Sequence, residues 1–174
     1  MIKIIPSDHI EISTSLSKTE VNKKLQKNIQ AKRAFEFRLT PPKNQKFFEG
    51  KLEGNNFQIQ RIISGRNSFV PQIKGSFKES VTGTKITMDL KIHGFVIAFM
   101  ALWLSGVGLA LLGILYGVIT QGIDPLLAIG PIIMFAFGIG LVHFGYKLEK
   151  EKSISVLKKL VEGQILNNTF SNKT

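Results

Sequence analysis

FVIAFMALWLSGVGLALLGILYGVIT, residues 95–120, is a run of 26 residues without one charged side chain. A second uncharged run, PLLAIGPIIMFAFGIGLVHFGY, covers residues 125–146. An α-helix needs roughly 20 apolar residues to cross a hydrocarbon core about 30 Å thick, and both runs exceed that length. Only residues 121–124 separate them, which leaves no room for another folded element. The sequence therefore predicts a hairpin of two transmembrane helices, at 95–120 and 125–146, joined by a short external loop.

The charged residues are distributed unevenly around this hairpin. Residues 1–94 carry 17 Lys and Arg against 8 Asp and Glu, residues 147–174 carry 6 against 3, and the loop carries only Asp124. Because Lys and Arg accumulate on the cytoplasmic side of membrane helices, we expect a multi-pass protein of the plasma (inner) membrane with both termini in the cytoplasm. Anionic lipid headgroups attract juxtamembrane bases by about 1 kcal/mol each. We therefore expect the lipid bilayer, and not nucleic acid, as the partner of the basic segments.

Residues 1–94 have the patterns of a small α+β domain. Ser17 and Glu20 have the spacing of a capping box, and Val21, Leu25 and Ile29 recur behind it at helical spacing. Elsewhere apolar and polar residues alternate, with a turn about every ten residues, which predicts an antiparallel β-meander. The expected strands lie at residues 10–14, 34–39, 47–52, 57–63, 69–78 and 85–92.

One face of this meander is apolar and needs a covering helix. The helix at 18–30 is one candidate, and the cytoplasmic segment 147–174 after the hairpin supplies another. This second segment has two interpretations: an amphipathic helix docked on strand residues such as Phe57, Ile73, Ile86 and Leu90, or a helix lying flat on the bilayer through its lysines. Its apolar stripe consists of Ile154, Leu157, Leu160, Val161 and Ile165.

Small residues recur along both predicted membrane helices. Close approach of small residues is how membrane helices gain van der Waals contact with one another. The stripes therefore predict either packing of the two helices within the hairpin or a homodimer through one of them. The residues are Gly106, Ala110, Gly113 and Gly117 on the first helix and Gly130, Gly138 and Gly145 on the second.

The sequence contains no pattern typical of a catalytic or metal site. There is no cysteine, and His9, His93 and His143 lie in different predicted elements. A metal site would need several such ligands to converge, and no nucleophile elbow or Gly-rich phosphate loop is present. We therefore expect no enzymatic activity, no metal and no cofactor.

Two groups of basic residues are candidates for contact with an anion or a lipid headgroup. The first is the turn with Arg61 and Arg66, and the second is the helix face with Lys23, Lys24 and Lys27. Arg61 is in register with the apolar residues Phe57 and Ile59, so the alternative for Arg61 is a buried ion pair. The candidate carboxylates for that pair are Glu36, Glu49 and Asp89.

One part of the chain resembles a known group of proteins. It consists of the segment Gly65-Arg66-Asn67-Ser68-Phe69-Val70-Pro71, followed by Gly75, Gly83-Thr84 and the junction from Ile92 to Trp103. It is similar to small uncharacterised bacterial membrane proteins with an RNSFxP turn and a two-helix transmembrane hairpin, over roughly residues 47–105. The architecture also resembles bacterial pleckstrin-homology-like domains fused to membrane helices. Both resemblances imply a membrane-anchored domain, and neither implies an activity.

The sequence as a whole favours a membrane-anchored binding or scaffolding module whose basic β-domain meets headgroups or a membrane-protein partner. The alternative is a small transporter or channel-like subunit acting as an oligomer. Ionisable residues that serve transport are usually retained inside membrane helices, and the middle of both spans has none. The sequence therefore favours the first interpretation.

The topology gives the first testable prediction. A reporter that is active only in the cytoplasm should be active when fused after Thr174 and silent when inserted at Gln121, because the bases flank both spans on one side. The measurement is reporter activity in cells expressing each fusion at equal level. The opposite pattern of activities would exclude the predicted orientation.

Overall fold

The computed structural model describes residues 6–31, 46–63 and 67–169, with the backbone alone at 167–169. These residues form seven strands, three α-helices and one 3₁₀ turn. In chain order they are β1 (Ser7–Thr14), α1 (Lys18–Asn28), β2 (Ile29–Gln30), β3 (Phe48–Glu53), β4 (Asn56–Arg61), β5 (Gln72–Ser80), β6 (Gly83–Lys91), α2 (Gly94–Gln121), the 3₁₀ turn (Pro125–Ala128), α3 (Ile129–Leu160) and β7 (Gln164–Thr169).

The chain divides into two compact units. One consists of residues 1–93 together with 146–174, and we call it the domain. The other consists of residues 94–145, and we call it the hairpin. The boundary at Tyr146 falls inside α3, so one uninterrupted helix runs from the hairpin into the domain. The segment 147–174 is predicted as a separate cytoplasmic part, but its described residues, up to Thr169, belong to the same compact unit as the residues before the hairpin.

The seven described strands form one sheet in the order β2-β3-β4-β5-β6-β1-β7. Strands β3 to β6 are a meander in which each strand is antiparallel to the next. β1 pairs antiparallel with β6, β7 pairs antiparallel with β1, and the short β2 runs parallel to β3 at the other edge. The α+β class and the meander are therefore confirmed. The strand predicted at residues 34–39 lies outside the described residues.

The two faces of the sheet differ in character, as the period-two alternation predicts. On the open face, Lys51, Gln58, Lys74 and Asp89 lie side by side on four successive strands. The other face, which we call the covered face, holds the hydrophobic core of the domain. Its buried side chains include Ile10, Ile12, Phe57, Ile59, Ile73, Phe77, Ile86, Met88 and Leu90.

α1 packs on the covered face through Val21 and Leu25, which are fully buried. It begins with the predicted capping box. The Ser17 hydroxyl accepts a hydrogen bond from the backbone N–H of Glu20, and the Glu20 carboxylate accepts one from the backbone N–H of Ser17 at 2.8 Å. Hydrogen bonds from the Ser17 side chain and backbone lower the pKa of the Glu20 carboxyl. The cap fixes the direction in which α1 leaves β1.

α3 ends in a hydrogen-bonded cap that turns the chain into β7. The backbone N–H of Glu162 donates to Lys159 O at 3.4 Å, and that of Gly163 donates to Lys158 O at 3.1 Å. Glu162 adopts the left-handed conformation, with φ of 51°. This bond pattern is the Schellman motif.

This cap corrects one prediction about the C-terminal segment. Ile154, Leu157 and Val161 are buried, as expected for a docked helix, and Leu160 is half-buried. Ile165, however, lies in strand β7 opposite Ile12 and does not continue the helical stripe. Because the helix stops at Leu160, the segment supplies both a covering helix and an edge strand. Docking on the sheet, and not on the bilayer, is the interpretation that the structure bears out.

The antiparallel strands give the sheet two distinct ends. At the far end, two-residue turns join β3 to β4 and β5 to β6. Gly54 in the first turn has φ of +58°. Gly83, after the second turn, has φ of +130°, and a Cβ atom there would lie 2.2 Å from Thr14 O. Only glycine fits this second position without displacing β1.

The opposite end, which we call the exit end, is where the chain leaves the domain. There Ser7, Lys91 and Gln72 lie side by side on β1, β6 and β5. From Lys91 the chain passes through Ile92 and His93 directly into α2. The exit end also contains the start of β3, the end of β4 and the C-terminus of α1.

The hairpin consists of α2, the connection Gly122–Asp124, the 3₁₀ turn and the first part of α3. The helix Gly94–Gln121 and the helical segment Pro125–Leu160 are each long and apolar enough to cross a membrane. Most of their side chains are exposed, including Phe99, Leu112 and Phe137. The Asp124 carboxylate accepts a hydrogen bond from the Leu126 N–H at 2.9 Å and starts the second helical segment.

The docked part of α3 gives the second prediction. Leu157→Ala should lower the free energy of unfolding of the domain by about 2–5 kcal/mol, because Leu157 is completely buried and the substitution leaves a cavity. Denaturant unfolding of the full chain in detergent, followed by circular dichroism, measures this. Leu166→Ala is the matched control: Leu166 is 58% exposed, and we expect a change within about 0.5 kcal/mol. Equal effects of the two substitutions would contradict the docking.

Candidate functional site

The hydroxyl of Tyr146 joins the two points at which the chain leaves and re-enters the domain. It lies 2.9 Å from Asp8 Oδ2 on β1 and 3.1 Å from Leu90 O on β6. Tyr146 is 3% exposed, so the hydroxyl needs these acceptors. Lys150 Nζ lies 3.0 Å from Asp8 Oδ2 and 5.9 Å from the centre of the Tyr146 ring. We call Asp8, Tyr146 and Lys150 the clamp.

A second polar contact lies beside the clamp, between β4 and α3. The Arg61 guanidinium donates to the Glu149 carboxylate, and the side chains are 17% and 7% exposed. Lys152 Nζ lies 3.2 Å from the other oxygen of Glu149. Among the described residues, Arg61 Nε is a buried nitrogen without a hydrogen-bond partner. A buried pair of this kind contributes little net stability, but removing one partner leaves an unpaired charge in the core.

This geometry assigns Arg61 a structural role. Arg61 points to the covered face, as its register with Phe57 and Ile59 predicts, and it forms the alternative buried ion pair instead of an exposed headgroup contact. The carboxylate named in the sequence interpretation is different, however. Asp89 pairs with His9 at 2.8 Å, Glu36 lies outside the described residues, and Glu49 is in register with the open face, so Glu149 is the carboxylate that Arg61 contacts. The partner could not be read from the sequence because it lies beyond the hairpin.

The structure does not place the other residues predicted to contact headgroups in one cluster with Arg61. Lys23 and Lys27 are exposed on α1. Lys24 donates to the carboxylate of Glu162, which follows α3. Arg66 lies outside the described residues. Of the five basic residues, Lys23 and Lys27 are therefore the ones that the structure leaves exposed on the surface.

The exit end carries four exposed lysines from four different segments. Lys27 is in the last turn of α1, Lys46 precedes β3, Lys91 ends β6 and Lys147 follows Tyr146 in α3. Lys46 Nζ donates to Gln26 O and Ile29 O, at 3.3 Å and 2.9 Å, and so caps the C-terminus of α1. We call these four residues the exit-end lysines. The sequence alone does not indicate this set, because only the sheet topology places its members at the same end of the domain.

The structure does not place most of the small residues between the two hairpin helices. Ala110 is exposed, and a Cβ at Gly106, Gly113 or Gly130 would meet nothing within 4 Å. Packing within the hairpin therefore does not explain these four residues. The homodimer alternative stays a prediction.

Of the remaining three small residues, Gly138 and Gly117 allow close contact with a neighbouring side chain, and Gly145 is half-buried. A Cβ at Gly138 would lie 3.3 Å from Leu104 and 3.6 Å from Met100 and Trp103. Gly117 accommodates Ile123 of the connection. Gly145 is half-buried at the end of the hairpin.

A shallow depression on the open face has a volume of about 310 Å³. Charges of both signs line it, so it has no clear preference for an anion. Within residues 6–31, 46–63 and 67–169, no three His, Cys, Asp or Glu side chains converge as a metal site would require. The residues around the depression are Lys51, Glu53, Asn56, Phe57, Gln58, Lys74 and Gly75.

Comparison with known proteins adds no family to this description. No protein-family model, no curated protein and no solved structure matches the chain. The resemblance to bacterial membrane proteins with an RNSFxP turn therefore stays a prediction. The interpretation of function depends on the geometry of the domain and the hairpin.

The Arg61–Glu149 pair gives the third prediction. Glu149→Ala should destabilise the domain by about 3–5 kcal/mol, because it leaves the buried guanidinium without its carboxylate. Thermal unfolding of the full chain in detergent measures the loss. Glu151→Ala removes an exposed carboxylate two residues away and should have little effect. Replacing both partners, with Arg61→Met and Glu149→Leu, should recover most of the lost stability; failure to recover would mean that Glu149 acts through another residue.

Proposed function

We propose that this protein is a membrane-anchored, non-enzymatic binding or scaffolding module of the inner membrane. In this proposal α2 and the first part of α3 span the bilayer. The domain lies on the cytoplasmic side, with its exit end against the leaflet. Its basic residues contact anionic lipid headgroups, and the rest of its surface is presented to a protein partner.

One observation carries this proposal. Residues on both sides of the hairpin fold into a single domain, and the clamp joins the point of exit to the point of return. A single folded domain lies on one side of a membrane, so an even number of spans must connect its two parts. This supports two spans with both flanking segments on the same side. The excess of Lys and Arg in these segments favours the cytoplasmic side.

The exit-end lysines support headgroup contact. They are exposed, and all four lie at the end of the sheet where the chain passes into the two apolar helices: Lys91 and Lys147 beside the exit and the return, and Lys27 and Lys46 on the β2–β3 side. At about 1 kcal/mol per residue near an anionic surface, four lysines would contribute roughly 4 kcal/mol. The Debye length is about 8 Å at physiological ionic strength, so this attraction should weaken as salt is added.

A second candidate function comes from a different class, an oligomeric transporter or channel-like subunit. The exposed small residues Gly106, Ala110 and Gly113 favour it, because such residues pack against neighbouring helices in membranes. Two helices cannot enclose a pore without several copies. The absence of charged residues from both spans in the sequence makes a binding module the better supported proposal.

The fourth prediction tests the contact with anionic lipid. The full chain is released from membranes of mixed anionic and neutral lipid, and native mass spectrometry counts the lipids that stay bound. We expect anionic lipids to be enriched at low salt. The triple variant Lys27→Gln, Lys91→Gln and Lys147→Gln should lose most of this enrichment, because the exit end then carries three fewer charges.

The matched control is the triple variant Lys78→Gln, Lys158→Gln and Lys159→Gln. It removes the same charge from exposed lysines near the far end and should keep the enrichment. Equal losses in the two triple variants would mean that only net charge matters. If the wild type shows no enrichment and the chain forms a defined oligomer, the transporter-like alternative is favoured.

A further inference from the structure

An exposed aromatic side chain stands at the exit end of the sheet. Phe47 directly precedes β3, and its carbonyl accepts a hydrogen bond from the Ile62 N–H at 3.0 Å, so its backbone is fixed against the end of β4. Its side chain is 54% exposed, whereas the neighbouring Phe48 is fully buried in the core. Among the described residues of the domain, Phe47 is the only Phe, Tyr or Trp with an exposed side chain.

Lysines flank this aromatic residue. Lys46 is adjacent in the chain, and its ammonium group reaches the C-terminus of α1. Lys27 is exposed in the last turn of that helix. An apolar ring bordered by long basic side chains is typical of segments that lie at a membrane interface, where the ring enters the apolar region and the ammonium groups stay among the headgroups.

The position of Phe47 across the sheet matters as much as its exposure. β3 lies three strands away from β6, and adjacent strands are about 4.8 Å apart, so Phe47 stands about 14 Å to the side of the chain's exit. The hairpin attaches the domain to the bilayer at β6 and α3. A second contact at β3 would prevent the domain from rotating about that attachment.

We propose that Phe47 inserts into the headgroup–acyl boundary of the bilayer and forms a second, peripheral membrane contact of the domain. This inference rests on the proposed function, because it requires the hairpin to span the bilayer. The bilayer is the expected occupant since Phe47 is at the end of the sheet where the chain enters its apolar helices. The contact fixes which part of the domain surface faces the cytoplasm.

Val81 provides a matched control within the same domain. It is also an exposed apolar side chain, with 103% relative exposure, but it lies in the β5–β6 turn at the far end. A general tendency of exposed apolar residues to seek lipid would bring both residues to the membrane. Insertion of the exit end predicts that Phe47 contacts the membrane and that Val81 does not.

Site-directed spin labelling of the full chain in vesicles of anionic and neutral lipid tests this directly. The chain has no cysteine, so Phe47→Cys, Val81→Cys and Leu112→Cys each give a single labelling site. The measurement compares the accessibility of each label to oxygen, which partitions into lipid, and to a water-soluble nickel chelate. Circular dichroism checks that each labelled variant keeps its fold.

The label at position 47 should be more accessible to oxygen than to the chelate, at a depth of about 5–10 Å in the interface. The label at position 81 should show the reverse. Leu112 is exposed in the middle of α2, and its label reports whether the hairpin is in lipid. A water-exposed label at 47 together with a lipid-exposed label at 112 overturns the inference alone. A water-exposed label at 112 overturns the proposed function itself.

Discussion

The Tyr146 hydroxyl, through its contacts with Leu90 O and Asp8, holds the second half of the chain in place on the sheet. Leu90 is one of the last residues before the hairpin, and Tyr146 is the first residue after it that belongs to the domain. The contact therefore closes a loop of 56 positions and fixes where α3 begins to cross the sheet. Because α3 is continuous from Ile129 to Leu160, this point also determines which of its residues face the core.

The contacts of α3 and β7 follow from the point at which Tyr146 fixes α3 on the sheet. Glu149 reaches Arg61 on β4, Leu157 enters the core, and Val161 O accepts a hydrogen bond from the Thr14 hydroxyl at 2.6 Å at the far end. The Schellman cap then turns the chain so that β7 pairs with β1. The hairpin is thus an insertion into a domain whose covering helix and edge strand come from the chain beyond it. In the proposed membrane orientation, anchoring and folding are linked, because a hairpin that did not return the chain to the same side would leave the sheet without its second cover.

The sequence predicted the parts of this architecture that depend on local pattern. The length of the two uncharged runs predicted the two apolar helices, and the Ser17–Glu20 spacing predicted the capping box. The alternation of apolar and polar residues from Phe57 to Leu90 predicted the meander. The partner of Arg61 could not be predicted, because Glu149 is 88 positions away and is placed by the fold. The end of α3 was missed although Gly163 signals it, since the spacing of Ile165 also fits a helical stripe. The exit-end lysines and Phe47 became a site only when the strand order was known.

A crosslink between Lys24→Cys and Glu162→Cys tests whether the segments before and after the hairpin form one domain. Lys24 and Glu162 are paired on the surface, so their substitution leaves the core intact. With a protease site inserted at Gly122, a short thiol crosslinker is added to the protein in membranes, and the chain is then cleaved. If the two segments form one domain, the fragments stay joined after cleavage in the double variant and separate in the Lys24→Cys single variant. Separation of the fragments in the double variant would show that they do not.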